Sequence, residues 1–139
     1  MASIFTKIIS GEFSCFKIYE DEHSMAFLSK FAVQPGHTLI VPKIEVDSFT
    51  DVPEPYYSAV CRNAQLVGKA VQRAMGCRRV GCMVAGWDVP HFHFHLVPMN
   101  DHQDMDPQHA RELGFDENKQ IQERIVKELE KVIAEKLAS

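Results

Sequence analysis

Pro90-His91-Phe92-His93-Phe94-His95-Leu96-Val97-Pro98 is the stretch on which the fold turns. Alternate side chains of an extended chain point to opposite faces, so His91, His93 and His95 share one face and Phe92, Phe94 and Leu96 the other. The apolar face predicts a strand, running from His91 to Val97, anchored on a hydrophobic core and ended by Pro98. The polar face presents three imidazoles together, with neighbouring Cα atoms about 6.6 Å apart at a rise of about 3.3 Å per residue.

Upstream of this stretch, Arg79 to Ala85 has a strand pattern, and Gly86 to Pro90 breaks it. Before that, Val60, Ala64, Val67, Val71 and Ala74 recur at helical spacing between Pro55 and Gly76, which predicts one long amphipathic helix. His37 to Val41 is a β-branched run between the turn Gln34-Pro35-Gly36 and Pro42. Phe16 to Glu20 and Met25 to Leu28 flank the polar turn Asp21 to Ser24. These segments predict three further strands. Ser3 caps a short helix through Ile4, Phe5, Ile8 and Ile9, closed by Gly11. Downstream, Met99 to Glu117 is polar and turn-rich and reads as a loop or irregular arm. Ile121, Ile125, Leu129, Val132 and Ile133 mark a final helix, supported by Glu123 and Lys127 at i, i+4. Helix, three strands, helix, two strands, helix is an α+β order, with an antiparallel sheet packed on helices, in one domain spanning residues 1–139.

Composition narrows the function classes. The chain of 139 residues is 45% hydrophobic and 24% charged, and its 15 basic and 19 acidic side chains leave a formal net charge of −4. Such a chain lacks the clustered Lys and Arg of a nucleic-acid binder. Its longest apolar run, Val80 to Trp87, is far short of the roughly 20 residues that cross a bilayer. Lys7, Glu12 and Lys17 interrupt any signal-peptide core. The expectation is a cytoplasmic protein with small-molecule partners, no nucleic acid and no membrane. Cys15, Cys61, Cys77 and Cys82 form no Cys-x-x-Cys pair and are expected to be reduced and mostly buried, with Cys82 packed in alternation with Val80 and Val84.

Three chemistries suit the histidine face. Two histidines at i, i+2 can share Zn²⁺, with His37 and Asp88 as candidate additional ligands. A neutral imidazole can instead attack phosphorus and form a labile N–P bond that water then cleaves, while its neighbours stabilise the developing charge. The third reading is a solvated polar strand face, which strict alternation over aromatic anchors disfavours. The residues by themselves leave metal and phosphorus chemistry level.

The run His91 to Val97 resembles the His-φ-His-φ-His-φ-φ signature of the histidine triad (HIT) superfamily. Ile4-Phe5-Thr6-Lys7-Ile8-Ile9-Ser10-Gly11-Glu12, Tyr19-Glu20-Asp21, Ala26-Phe27-Leu28 and Pro35-Gly36-His37-Thr38-Leu39-Ile40-Val41-Pro42-Lys43 resemble the family's N-terminal half in order and spacing. The resemblance covers roughly residues 3–98, with the arm and C-terminal helix, 99–139, beyond it. It implies a five-stranded antiparallel sheet with a short N-terminal helix, a long central helix and a C-terminal helix, assembled as a homodimer.

By resemblance the chain is a purine nucleotide-binding hydrolase or transferase. It would act at the α-phosphorus of nucleoside 5′-phosphate derivatives, such as phosphoramidates or dinucleoside polyphosphates, through a covalent nucleotidyl-histidine and without a cofactor. His93 matches the nucleophile, His91 and His95 the flanking residues that orient the ring and the phosphate, and His37 the fourth active-site histidine. Phe5, Ile8 and Phe27 match the lining of the purine pocket. Lys30 and Lys43 are candidates to draw phosphate in. Ser29 stands where many relatives have a ribose-gripping Asp, and Trp87-Asp88 where nucleotide hydrolases of the family often have Gln-Ser. An ionised Asp88 must point away from phosphate, or Asp88 must be protonated or handle a proton on the leaving group. Ser3, Thr6 and Glu45 fill slots that in some relatives hold structural zinc, so no zinc is expected. A nucleotide-sensing or protein-interaction module and a metal-dependent hydrolase are the rival functions.

Overall fold

Why the chain folds into two unequal layers follows from where its apolar residues alternate. The computed structural model describes all 139 residues. Helix α1 (Ile4–Ile9) starts at Ser3, whose Oγ accepts from the Thr6 amide. Strands β1 (Lys17–Glu20) and β2 (Ser24–Leu28) turn about Asp21, whose carboxylate accepts from the amides of His23 and Ser24. A two-residue β3 (Phe31–Ala32) precedes β4 (Thr38–Pro42). Helix α2 (Tyr56–Met75) ends at Gly76, which takes the left-handed conformation at φ 63° and donates its amide to the Gln72 carbonyl. Strands β5 (Arg79–Met83), β6 (Phe94–Met99) and β7 (Arg111–Glu112) and helix α3 (Phe115–Ala138) complete the chain.

The main sheet is antiparallel with order β1-β2-β4-β6-β5, and β3 pairs with β7 in a separate two-stranded ribbon. β2 and β4 are buried on both faces. Ala26, Leu28, Ile40 and Leu96 point to the face covered by Val60, Val67 and Val71 of α2 and Ile121, Ile125 and Leu129 of α3, forming a core of 17 buried residues. The alternate residues Met25, Phe27, Leu39 and Val41 point the other way, where Phe5 of α1 packs on them in a cluster of five. Leu39 pairs with His95 across β4 and β6, so the histidines lie on this thinner side, and Phe92 and Leu96 anchor in the larger core, as the alternation requires.

Several boundaries differ from the sequence reading. Of the triad only His95 lies in a strand. The β4–β6 ladder ends at the pair Ile40–Phe94, and beyond it the Phe92 amide donates to the Val46 carbonyl at 2.7 Å. Pro42, without an N–H, cannot extend the ladder there. Pro98 does not end the strand. It pairs with Val80 of β5 past the last β4 partner, where β6 has one neighbouring strand and a missing donor is tolerated. The arm contains 3₁₀ turns at His102–Met105 and Pro107–His109, capped by Asp101 and Asp106, and α3 begins at Phe115, inside the expected loop. Glu123 lies 4.0 Å from Lys119 rather than pairing with Lys127. Cys82 is exposed on the edge strand β5, whereas Cys77 is buried. All four cysteines are free.

Candidate active site

Four histidines reach one place from two segments. His37 is carried by the turn before β4, where Gly36 has φ 93° and a Cβ would sit 2.8 Å from Met75 Cγ, so only glycine fits the close approach. The Ser29 amide bonds the His37 carbonyl at 2.8 Å and closes this turn. His91 and His93 come from the extended segment before β6, and His95 from the strand itself. The Phe5 ring lies 5.7 Å from His91 and 5.1 Å from His93, and the rings of His93 and His95 are 4.9 Å apart.

Hydrogen-bond partners assign every ring proton, because a carbonyl only accepts and a backbone N–H only donates. The Val33 amide donates to His37 Nδ1 at 3.0 Å, so neutral His37 carries its proton on Nε2 and donates it to His95 Nδ1 at 2.9 Å. His95 therefore holds its own proton on Nε2. His91 Nε2–H donates to the Pro42 carbonyl at 3.0 Å, and its Nδ1 accepts from the Ser3 hydroxyl at 2.8 Å. His93 Nδ1–H donates to the His91 carbonyl at 2.8 Å. Two nitrogens are left over: His93 Nε2 with a free lone pair and His95 Nε2 with a free N–H. No fully buried side-chain nitrogen or oxygen lacks a partner, so both free nitrogens reach solvent. One nucleophilic atom beside one donor is a minimal arrangement for attack on an electrophile whose oxygens gain charge.

Burial favours the neutral form of His37, His91 and His95. Burial pushes His37 down to about 3, helped by the neighbouring His95 and His93. Burial likewise pushes His95 down to about 4, with His93 adding to the effect and Asp88 opposing it. His91 is lowered by burial, against the opposing pull of the Pro42 carbonyl and Glu45. Neutral rings at these three positions match the tautomers assigned from the bonds.

Phe5 also walls a cavity of about 1070 Å³ whose lining includes Ile8, Phe27, Ser29, Lys30 and Leu39. Phe5 and Phe27 are buried with rings 5.7 Å apart, and Ile8 is half-buried against them. The cavity's outer wall was missed in the sequence: Glu112, Leu113, Phe115, Asn118, Lys119 and Gln122 come from the arm and α3. Leu113 and Phe115 were the only signal, two apolar residues in a polar stretch. Ser29 donates its hydroxyl to the Phe31 carbonyl at 3.1 Å. Lys30 is exposed and lies 3.7 Å from Glu112, and Lys43 is 2.6 Å from Glu20. Trp87 and Asp88 are exposed beside the site, and Asp88 acts on His95 through its charge. His102 and His109 lie on the exposed arm, away from the four rings.

The zinc-slot residues form a hydrogen-bonded knot instead. Glu45 Oε1 accepts from the Ser3 amide and the Thr6 hydroxyl, both at 2.7 Å, and Ser3 occupies His91 Nδ1. Two neutral hydroxyls, one carboxylate and an imidazole whose lone pair is already used do not suit tetrahedral zinc, which takes thiolate and imidazole donors. On the triad face a metal would find one free imidazole lone pair, and gaining a second would break one of the bonds just described.

The family model of the HIT domain matches residues 10–102. An adenosine 5′-monophosphoramidase of Saccharomyces cerevisiae is 30% identical over 136 residues, 93% of this chain and 84% of its own length. An adenylylsulfatase of Arabidopsis thaliana is 31% identical over 103 residues, 70% of this chain but 52% of its own, so this chain spans about half of that relative. A hypothetical histidine triad nucleotide-binding protein of Sulfolobus tokodaii, 24% identical, superposes with a TM-score of 0.83 over 92% of each chain and shares the fold. With two thirds of its length under the family model and the triad inside the match, this chain belongs to the HIT domain family.

Proposed function

We propose that this protein hydrolyses, or transfers the nucleotidyl group of, purine nucleoside 5′-phosphate derivatives through a covalent intermediate on His93. The observation that carries the reading is the proton inventory: His93 Nε2 is the one imidazole nitrogen of the four with a free lone pair. The relative that acts on adenosine 5′-monophosphoramidate supports a phosphoramidate as substrate, and dinucleoside polyphosphates carry the same α-phosphorus. The base enters the apolar slot of Phe5, Ile8 and Phe27, which adjoins the His93 ring through Phe5.

His93 Nε2 attacks the α-phosphorus as the bond to the leaving amine breaks, and the amine takes up one proton as it departs. His95 Nε2–H bonds a phosphoryl oxygen, while the His91 carbonyl stabilises the charged His93 ring through its Nδ1–H. His37 holds the His95 ring in the tautomer that presents this donor. Water then attacks the same phosphorus, the N–P bond breaks, and the monophosphate leaves with the water's second proton released to solvent. Asp88, on the open side, is placed to pass protons to the leaving group. No cofactor enters the scheme. We also propose a cytoplasmic homodimer of the whole chain, without nucleic-acid or membrane partners. The four free cysteines accord with a reducing compartment.

A second reading, a nucleotide-sensing module with weak turnover, is favoured by Ser29. Its hydroxyl is already committed to Phe31, which leaves no carboxylate there for the ribose. Quenched-flow mass spectrometry with an AMP phosphoramidate separates the two. A nucleotidyl adduct on His93 that forms and decays at the turnover rate supports the enzyme. Tight AMP or GMP binding with neither adduct nor turnover supports the module.

A further inference from the structure

Glu45 is an exposed carboxylate with an unusual set of partners: it accepts from the amide of Ser3, 42 residues away, and from the hydroxyl of Thr6, 39 residues away. These bonds hold its carboxyl below the usual range. Thr6 has a single hydroxyl proton, and at 2.7 Å it goes to Glu45 rather than to His91 Nδ1, which lies 3.5 Å away. The Ser3 hydroxyl oxygen accepts from the Thr6 amide at 3.1 Å, so its proton is free for His91 Nδ1 at 2.8 Å. With Nδ1 taken as acceptor, His91 is held with Nε2–H on the Pro42 carbonyl. The His91 backbone carbonyl in turn fixes His93.

We propose that Glu45 is a positioning residue for His93, acting through Ser3, Thr6 and His91 by a metal-free clasp that ties α1 to the histidine segment. The role rests on reading His93 as the nucleophile. Without the carboxylate, the Thr6 hydroxyl and Ser3 amide lose their shared acceptor, Thr6 competes with Ser3 for His91 Nδ1, and the first turn of α1 loosens. The His91 ring then shifts between two hydroxyl donors while its Nε2–H stays on the Pro42 carbonyl, and the backbone carbonyl that orients His93 moves with it. Glu45 does not itself line the slot walled by Phe5 and Ile8, so the larger effect falls on the chemical step, with a smaller one on binding through α1.

The test compares wild type, Glu45→Ala and Glu45→Gln, the last keeping one acceptor oxygen. Kinetics use an AMP phosphoramidate, and ¹⁵N spectra of the histidine rings report which nitrogen carries each proton. Thermal melting verifies that the variants are folded. Glu45→Ala is expected to lower kcat about tenfold, the loss of one oriented hydrogen bond, with a smaller change in KM. Its His91 Nδ1 signal should shift as Thr6 joins Ser3 as a donor, with Nε2 still protonated, and Glu45→Gln should recover most of both effects. A kcat within about twofold of wild type, or a lower kcat with unchanged ring-nitrogen signals, overturns the proposal. Absence of any adduct in the wild type would sink the reading of His93 instead, because the ring spectra are read without substrate.

Discussion

The two faces of the central sheet do different work. One is covered by α2 and α3 and buries 17 apolar residues, and the other carries a cluster of five under the six-residue α1. All four histidines of the site belong to the thinner face, three of them buried. A thick apolar core has no room for a ring that must keep a lone pair open to water, whereas a thin layer leaves that ring near solvent and still lowers the proton affinity of His37, His91 and His95 by burial. Stability and chemistry are thus separated by the thickness of one sheet, and an extended segment alternating His and Phe serves both sides at once.

The comparison breaks most decisively through a pair of substitutions. His93→Ala should lower turnover of an AMP phosphoramidate by about 10⁴-fold or more while costing about 1 kcal/mol or less of stability. Ile125 is fully buried in the larger core, and Ile125→Ala should do the reverse: about 2–5 kcal/mol of stability lost, with kcat of the folded fraction unchanged. Urea melts and steady-state kinetics on both variants check this. Equal destabilisation by the two changes would show that the faces are not divided in the way described.

Acid sharpens the same contrast. The folded chain holds His37 at about 3 and His95 at about 4, against 6.5 when unfolded, and His91 is lowered too. Below pH 6.5 the unfolded chain therefore binds more protons than the folded one, so stability falls as the pH drops. That loss runs from 6.5 down through about 4 for His95 and about 3 for His37. The carboxylates whose values are lowered by their partners, Glu20, Asp21, Glu45, Glu54 and Glu135, have ordinary values of 4.5 or below, so the window above pH 5 belongs to the histidines. Urea midpoints at pH 7.5, 6 and 5 should decline, and His37→Gln should flatten the decline. A flat wild-type profile would mean that these rings are not buried in the neutral form.

What the sequence made legible was whatever repeats over several residues or breaks the chain sharply. The helical spacing from Val60 to Ala74 located α2, Gly76 its end, and the His-Phe alternation divided the two faces correctly even though most of the triad lies outside a ladder. The β3–β7 ribbon was not legible: two-residue strands paired across the arm carry no period, and only the fold brings Phe31 to Glu112. The outer wall of the cavity beside Phe5 was hidden for the same reason. His37 was singled out only as a possible metal ligand until the resemblance placed it, because a lone histidine after a turn has no pattern of its own. The Glu45 clasp joins positions 3, 6, 45 and 91 through individual hydrogen bonds, which spacing cannot reveal.

The smallest expected effect concerns the edge of the sheet, where alternation misled. Cys82 looked packed because Val80 and Val84 flank it, but β5 has a neighbour on one side only, and alternate side chains of an edge strand face outward unless something covers them. Beside Cys82 a groove of about 780 Å³ is lined by Leu66, Val80, Leu96 and Val132. If the proposed homodimer joins β5 edges, this surface is covered in the dimer. Alkylation followed by peptide mass spectrometry should then find Cys82 modified first in dilute protein and Cys77 last, with the Cys82 rate falling several-fold as concentration rises through the dimer constant. Labelling of Cys82 that is independent of concentration while sedimentation reports a dimer would move the interface away from β5, leaving the edge to be protected by its own twist and by its flanking Arg79 rather than by a second copy.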